Sequence, residues 1–124
     1  MERIVKEDIL RCDLGFTSLT VKVAWLGSDC HLLLYGGETP HLGTTVLAVP
    51  RLSLTGEGTS ATSSVLNVLG HKDDVLCRAL AEQVCSALHV VTVCSGGVHL
   101  NNITKEQIAL LQNTVEELAV KITR

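Results

Sequence analysis

Two apolar runs, each followed by a glycine pair and a histidine, constrain the fold of this chain more than any other feature. Residues 36–43 (GGETPHLG) follow the apolar run 31–35, and residues 95–102 (SGGVHLNN) follow the apolar run 89–94. Glycine pairs at strand ends let the backbone adopt positive φ and approach a ligand closely. Histidine is readily recruited as a ligand, donor or proton carrier near neutral pH. The repeated combination predicts a binding site assembled from two glycine turns on a β-scaffold.

Local periodicity predicts a β-rich first half of the chain. Apolar and polar residues alternate over 19–25, and a glycine turn connects this strand to the run 30–35, which predicts an antiparallel hairpin. A third strand is predicted over 44–49, with Pro50 ending it because proline cannot donate to a sheet ladder. Residues 53–64 are rich in glycine, serine and threonine, and they are predicted to form a mobile, lid-like loop, either continuous or broken by a short strand at the Leu52–Leu54 end.

Two helices and one further strand are predicted in the second half. Asp73 and Asp74 open the first helix, since carboxylates at a helix N-terminus oppose the macrodipole. The predicted buried face of this helix is Leu76, Ala79, Leu80, Val84, Ala87 and Leu88. A strand follows over 90–94, and the last helix begins at Thr104 with a capping box. The apolar stripe of that helix is Ile108, Leu111, Val115, Leu118 and Ile122.

The order of these elements predicts the fold class. Strands followed by helix, strand and helix indicate a two-layer α/β (α+β) protein with a mostly antiparallel sheet and two main helices. A single domain is expected over residues 1–124, because no linker or internal repeat interrupts the chain. Leu110 and Val120 flank the stripe of the last helix, so a second apolar face is expected to meet either the sheet or another copy of the chain.

Composition excludes several classes of function. The chain has 10 basic and 13 acidic residues, a formal net charge of -3, which argues against a nucleic-acid partner. An aromatic content of 2% excludes a base-stacking platform. The five cysteines are odd in number and lack a CxxC pair, which predicts reduced, mostly buried thiols in the cytoplasm. No apolar run approaches the ~20 residues that span a bilayer.

The histidines and cysteines leave several kinds of chemistry open. His41, His71 and His99 each lie in or beside a glycine turn, and three histidines with an open position would form a catalytic-type metal site. However, no HxH or HxxxH pair arranges two ligands on one element. His71 and Lys72 precede a helix start, where backbone N–H groups can hold a phosphate. Cys94 lies five residues before His99 without a third orienting group, so a thiol enzyme is a weaker alternative.

Three segments carry a resemblance to a known family. GGETPHLG, GHKDD and GGVHLNNITKEQIALL resemble, in this order, the prenylated-flavin chaperones, the small D subunits of gallate-type and related UbiD-type decarboxylase systems. The resemblance runs from about Cys30 to the end of the last helix. It implies a fold similar to that of proteasome-assembly chaperones and a homodimer. It also implies a non-catalytic carrier of prenylated FMN, or of FMN itself, whose partners are the large decarboxylase subunit and a flavin prenyltransferase.

The resemblance also assigns a cofactor site. Carried over position by position, it falls on Gly36, Gly37, Pro40, His41, Gly43, His71, Lys72, Gly97, His99, Asn101 and Thr104. The glycine turns are expected to form a flat slot, with His41 and His99 at the ring edge and His71-Lys72 at the phosphate. A metal ion bridging histidines and flavin oxygens is the lesser option. The remaining alternatives are a histidine-ligated metal protein or small thiol enzyme, and a protein-assembly factor without a small-molecule ligand.

Overall fold

One six-stranded sheet and two helices form the parts of the chain that this computed structural model describes, residues 5–68 and 74–124. The elements are β1 (Val5–Asp13), β2 (Ser18–Leu26), β3 (Asp29–Gly37), β4 (Thr44–Leu52), β5 (Thr59–Asn67), α1 (Asp74–Leu88), β6 (Thr92–His99) and α2 (Lys105–Ile122). The strand order is β1-β2-β3-β6-β4-β5. Only β3 and β6 pair in parallel among these strands, so the predicted mostly antiparallel α/β fold is confirmed.

The predicted hairpin is confirmed as β2 and β3. The two strands pair antiparallel, with Val21 opposite Leu34. Leu19, Val21 and Val23 are buried, and they form one core with apolar residues of both helices, among them Leu80 and Val115. The alternation along β2 therefore marks the face that the helices cover, as the period-two pattern indicated.

Two expectations for the middle of the chain are wrong. Pro50 lies inside β4 rather than after it, opposite Ala61 of β5. In the described sheet β6 pairs with β4 only as far as Ala48, so Pro50 lies where β4 has a single neighbouring strand, a position that tolerates proline. Half of the predicted mobile loop, residues 59–64, belongs to the strand β5, in which serines and threonines hide the alternation of burial from a hydrophobic pattern. Of the predicted loop, residues 53–58 form the turn between β4 and β5.

The helices largely agree with expectation. Helix α1 begins at Asp74, while Asp73 lies outside the described residues. Its buried side chains are Cys77, Leu80, Ala81, Val84 and Cys85, whereas Ala87 is exposed, against the prediction. In α2 the capping box is confirmed, because Thr104 and Gln107 exchange hydrogen bonds between side chain and backbone. Ile108 of the predicted stripe is 41% exposed, and it lies in the first turn of α2 together with the exposed Lys105 and Glu106.

Neither described helix combines the length and the apolar composition needed to cross a membrane.

Candidate functional site

The two glycine pairs lie on neighbouring parallel strands. Gly37 at the end of β3 is opposite His99 at the end of β6, and Gly36 is opposite Val98. Gly96 and Gly97 lie two to three residues before His99 on β6. The pairs were predicted as turns, and that is wrong, because the β3–β6 ladder continues through both of them. The parallel pairing brings the two motifs together at the same end of the sheet.

Backbone geometry explains why glycine is needed at two of these positions. Gly96 has φ +140°, and a Cβ placed there would collide with the carbonyl oxygen of Leu34 on β3. Gly37 has φ +83°, and a Cβ there would collide with the carbonyl oxygen of His99. Residues with a Cβ rarely adopt such backbone conformations. The glycines therefore let β3 and β6 approach each other closely at the end of the sheet that carries His99.

The loop after β3 places His41 on the end of β6. Gly43 N donates to the carbonyl oxygen of Gly96 at 2.8 Å, which ties the loop to the strand. The His41 ring lies against Gly97, where an added Cβ would be 2.7 Å from His41 Nε2. His41 Nδ1 is 3.0 Å from the carbonyl oxygen of Thr39. The space beside Gly97 is thus filled by the imidazole, so this glycine makes room for His41 instead of forming part of an open flat slot.

His99 completes an imidazole pair. The ring centroids of His41 and His99 are 6.4 Å apart, with an edge-to-face angle of 74° between the rings. His99 Nε2 is 3.2 Å from Asn101 Oδ1. The Asn101 amide in turn donates from Nδ2 to Glu38 Oε2 at 2.8 Å, and its backbone N–H donates to Glu38 Oε1 at 3.3 Å. Two histidines, one amide and one carboxylate therefore form a connected polar cluster at the end of β3 and β6.

Glu38 is the member of this cluster that the sequence did not single out. It directly follows the glycine pair in GGETPHLG, and that position was the available signal. Its backbone N–H donates to the carbonyl oxygen of His99 at 2.8 Å, which extends the β3–β6 contact by one residue. A glutamate inside a loop motif looks like a solvated surface charge, so its role emerges only from the pairing of the strands.

The other predicted site residues do not join the His41–His99 cluster in the described residues. Gly36 is buried in β3, and Pro40 is exposed in the loop before His41. His71 and Lys72, the predicted phosphate anchor, lie outside the described residues, and that prediction stays open. Within residues 5–68 and 74–124, no three His, Cys, Asp or Glu side chains are arranged to hold a metal ion.

The thiol alternative does not match the position of Cys94. This residue is fully buried in β6 between Leu32 and Val46 of the adjacent strands. A hydrogen bond with Cys77 and burial raise the pKa of the Cys94 thiol well above its usual value. His99, the proposed base, is exposed at the end of the strand. A protonated thiol within the core is a poor nucleophile, because the thiolate is the reactive form.

Alkylation should show this protection directly. Burial also raises the pKa of Cys30 to about 12, so this thiol stays protonated under ordinary labelling conditions. We expect iodoacetamide at pH 8.5 to modify the half-buried Cys12 in the folded protein, and all five cysteines after denaturation. Peptide mass spectrometry measures both. Labelling of Cys94 as fast as Cys12 in the folded protein would restore the thiol-enzyme hypothesis.

Comparison with known proteins assigns the family. The family model described as the prenylated flavin chaperone LpdD-like domain matches residues 14–124. The chain belongs to this family. Protein LpdD of Lactiplantibacillus plantarum (strain ATCC BAA-793 / NCIMB 8826 / WCFS1) is 28% identical over 98 residues, covering 78% of this chain and 68% of that protein. Membership of the LpdD-like family supports a chaperone role for prenylated flavin.

The LpdD-like match begins before β2, so it extends further towards the N-terminus than the motifs at Gly36 and Gly96 alone indicated. A solved structure supports the fold independently. A chain of a chaperone complex for yeast 20S proteasome assembly superimposes with a TM-score of 0.58, covering 98% of this chain and 100% of that one. At 14% identity this likeness shows the fold alone, and it confirms the predicted proteasome-assembly-chaperone fold.

Proposed function

We propose that this chain binds prenylated FMN at the His41–His99 cluster and holds it for delivery to, or maturation in, a UbiD-type decarboxylase. The observation that carries the proposal is the pair of imidazoles, 6.4 Å apart, at the end of two glycine-bearing strands in a chain of the LpdD-like family. The chain itself acts as a carrier and not as an enzyme. We place it in the cytoplasm, where its five free cysteines would stay reduced.

The surroundings of the imidazole pair suit a flavin. A flavin has a flat apolar ring system with nitrogen and oxygen atoms along one edge. An open hollow of ≈ 200 Å³ begins at Leu42, the residue after His41, and is lined by Leu42, Thr44, Thr45, Leu66, Asn67 and Val68. Leu42, Leu66 and Val68 are 67%, 77% and 50% exposed, so a ring placed there would cover apolar side chains. The imidazoles would then contact the polar edge, for prenylated FMN and FMN alike.

The phosphate requires a different part of the site. The Glu38 carboxylate at Asn101 makes that end of the cluster unfavourable for a second anion. We therefore keep His71 and Lys72 as the proposed phosphate anchor. When bound, prenylated FMN supplies the chemistry that the decarboxylase uses, while the residues of this chain bind and orient it.

Transfer of the cofactor tests the carrier role. We expect the protein, incubated anaerobically with reduced prenylated FMN and then desalted, to keep a flavin absorbance in near one-to-one ratio. We also expect it to activate an apo UbiD-type decarboxylase more than an equal amount of desalted free cofactor does. The matched control is the His41→Ala/His99→Ala double variant in the same procedure. A colourless wild-type protein after desalting would contradict the proposal.

We further propose that the chain is a homodimer formed through the face of the sheet opposite the helices. In register, Leu47 on β4 lies opposite Val93 on β6, on the face away from the core residues Val46 and Cys94. Leu47 and Val49 are 41% and 44% exposed there. Six strands of about nine residues present a face of roughly 800 Å², which matches the ~800 Å² per partner of a stable interface. The helix residues Leu110 and Val120, which the sequence offered as the second apolar face, are exposed on the opposite layer.

A charge placed on this face should separate the subunits. We expect light scattering to give the mass of two chains for the wild type and of one chain for Leu47→Asp, because burying an unpaired carboxylate is unfavourable. Leu54→Asp is the control, since Leu54 is 93% exposed in the turn between β4 and β5. A wild-type mass of one chain would refute the homodimer.

A further inference from the structure

The Glu38–Asn101–His99 connection determines which ring nitrogen of His99 carries the proton. We propose that Glu38 is a positioning residue that acts through Asn101 to hold His99 as the Nε2–H tautomer. His99 then presents Nδ1 as a hydrogen-bond acceptor to an N–H or O–H group of the ligand. The tautomer follows from the geometry of the protein alone, whereas the identity of the ligand rests on the proposed function.

Glu38 fixes the orientation of the Asn101 amide. An ionised carboxylate only accepts hydrogen bonds, so the side of the amide that faces Glu38 must be the nitrogen. The distance of 2.8 Å from Asn101 Nδ2 to Glu38 Oε2 agrees with this requirement. The second carboxylate oxygen accepts from the backbone N–H of the same residue at 3.3 Å. One carboxylate therefore holds both the backbone and the amide of Asn101 in a single orientation.

The oriented Asn101 amide in turn fixes the tautomer of His99. With its nitrogen on Glu38, Asn101 presents Oδ1 to His99 Nε2 at 3.2 Å. An amide oxygen only accepts, so Nε2 must carry the hydrogen, and in the neutral ring Nδ1 is the acceptor. His41 is held in the opposite way, because its Nδ1 faces the carbonyl oxygen of Thr39 at 3.0 Å and must donate to it. The two rings are thus fixed in different tautomers by different partners.

This arrangement selects the chemistry of the bound group. An acceptor on His99, with the negative charge of Glu38 behind Asn101, favours a neutral ligand edge that donates a hydrogen bond and disfavours a phosphate. The ring system of a flavin carries an imide N–H, which is a donor of this kind. The proposal therefore assigns His99 to the ring edge of the ligand and away from its phosphate.

Nitrogen NMR of the free protein reads the tautomer directly. Protonated and unprotonated imidazole nitrogens resonate at opposite ends of their range, and His99 is assigned through the His99→Gln variant. At a pH high enough for a neutral ring, we expect Nε2 of wild-type His99 to be protonated. In Glu38→Lys the new ammonium group would attract Asn101 Oδ1, turn the amide nitrogen towards His99 and move the proton to Nδ1. The backbone hydrogen bond from residue 38 to His99 does not depend on this side chain.

Binding of the ligand is the second readout. We expect Glu38→Lys to weaken the affinity for prenylated FMN about tenfold or more, because a protonated Nδ1 of His99 would then face the N–H group of the ligand. Glu57→Lys makes the same charge change in the turn between β4 and β5, and it should alter neither the tautomer nor the affinity. A wild-type His99 protonated on Nδ1 would overturn the proposal, even if Glu38→Lys did not fold. Wild-type protein with the expected tautomer but without flavin affinity would contradict the proposed function and leave the positioning role intact.

Discussion

Gly96→Ala is expected to lower the free energy of unfolding by at least about 3 kcal/mol, the larger of the stability effects that we expect. The new Cβ would collide with the carbonyl oxygen of Leu34, a rigid backbone atom of the neighbouring strand, and the residue would have to keep φ +140°. Relief would require separation of β3 and β6 at the centre of the sheet. Urea denaturation measures the loss as a lower midpoint.

Gly56→Ala is the matched control for this substitution. Gly56 also has a positive φ, +79°, but a Cβ there meets nothing within 4 Å. We expect this variant to lose only about 1 kcal/mol, the ordinary cost of a left-handed conformation. Equal losses in the two variants would mean that backbone strain alone explains Gly96, and that the close approach of β3 and β6 contributes nothing.

His41→Ala and His99→Ala are each expected to weaken the binding of prenylated FMN by tenfold or more, about 1.4 kcal/mol, because each removes a polar contact at the ring edge. The affinity of the double variant should fall by less than the product of the two single effects. The two rings pack edge to face, with their centroids 6.4 Å apart, and contribute to one site. Anaerobic titration followed by flavin fluorescence or absorbance gives the affinities.

The control histidine for this series lies at the other end of β6. His89 Nδ1 shares a hydrogen bond of 2.9 Å with Thr59 Oγ1. Because His89 has a positive φ of 59°, asparagine, which tolerates that conformation, is the appropriate substitution. We expect His89→Asn to bind the flavin as the wild type does. Loss of affinity in His89→Asn equal to that in His41→Ala would indicate a general effect on the fold and would remove the support for a histidine site.

The sequence predicted the elements of this fold where a local pattern decides the structure. The period-two alternation of β2 and the capping box at Thr104 depend only on nearby residues, and both are confirmed. β5 was missed because its alternation is between small polar residues and a few apolar ones, such as Val65, so hydrophobic periodicity is weak. Pro50 was read as a strand end because sequence does not show which side of a strand lacks a neighbour.

The sequence predicted that the two glycine–histidine motifs lie together, but it did not predict how they are built. The motifs around His41 and His99 were correctly expected to lie together, since both follow apolar strands. Their glycines were read as turns, because the parallel neighbour that requires a residue without a Cβ, such as β3 beside Gly96, lies about sixty positions away in the chain. Glu38 was missed for the same reason: its partner Asn101 is 63 residues distant.

The position of bound flavin on the protein shows whether His41 and His99 form its binding site. Histidine resonances of the wild-type protein can be followed by NMR during anaerobic titration with reduced prenylated FMN. We expect the signals of His41 and His99 to shift in proportion to bound flavin, while those of His31 and His89 keep their chemical shifts. Flavin that binds without shifting the signals of His41 and His99 would contradict a binding site at these two histidines. Such flavin would have to lie elsewhere, as in the hollow between α1 and α2 lined by Glu82, Gln83, Ser86, Ala87, Ala119, Val120 and Thr123.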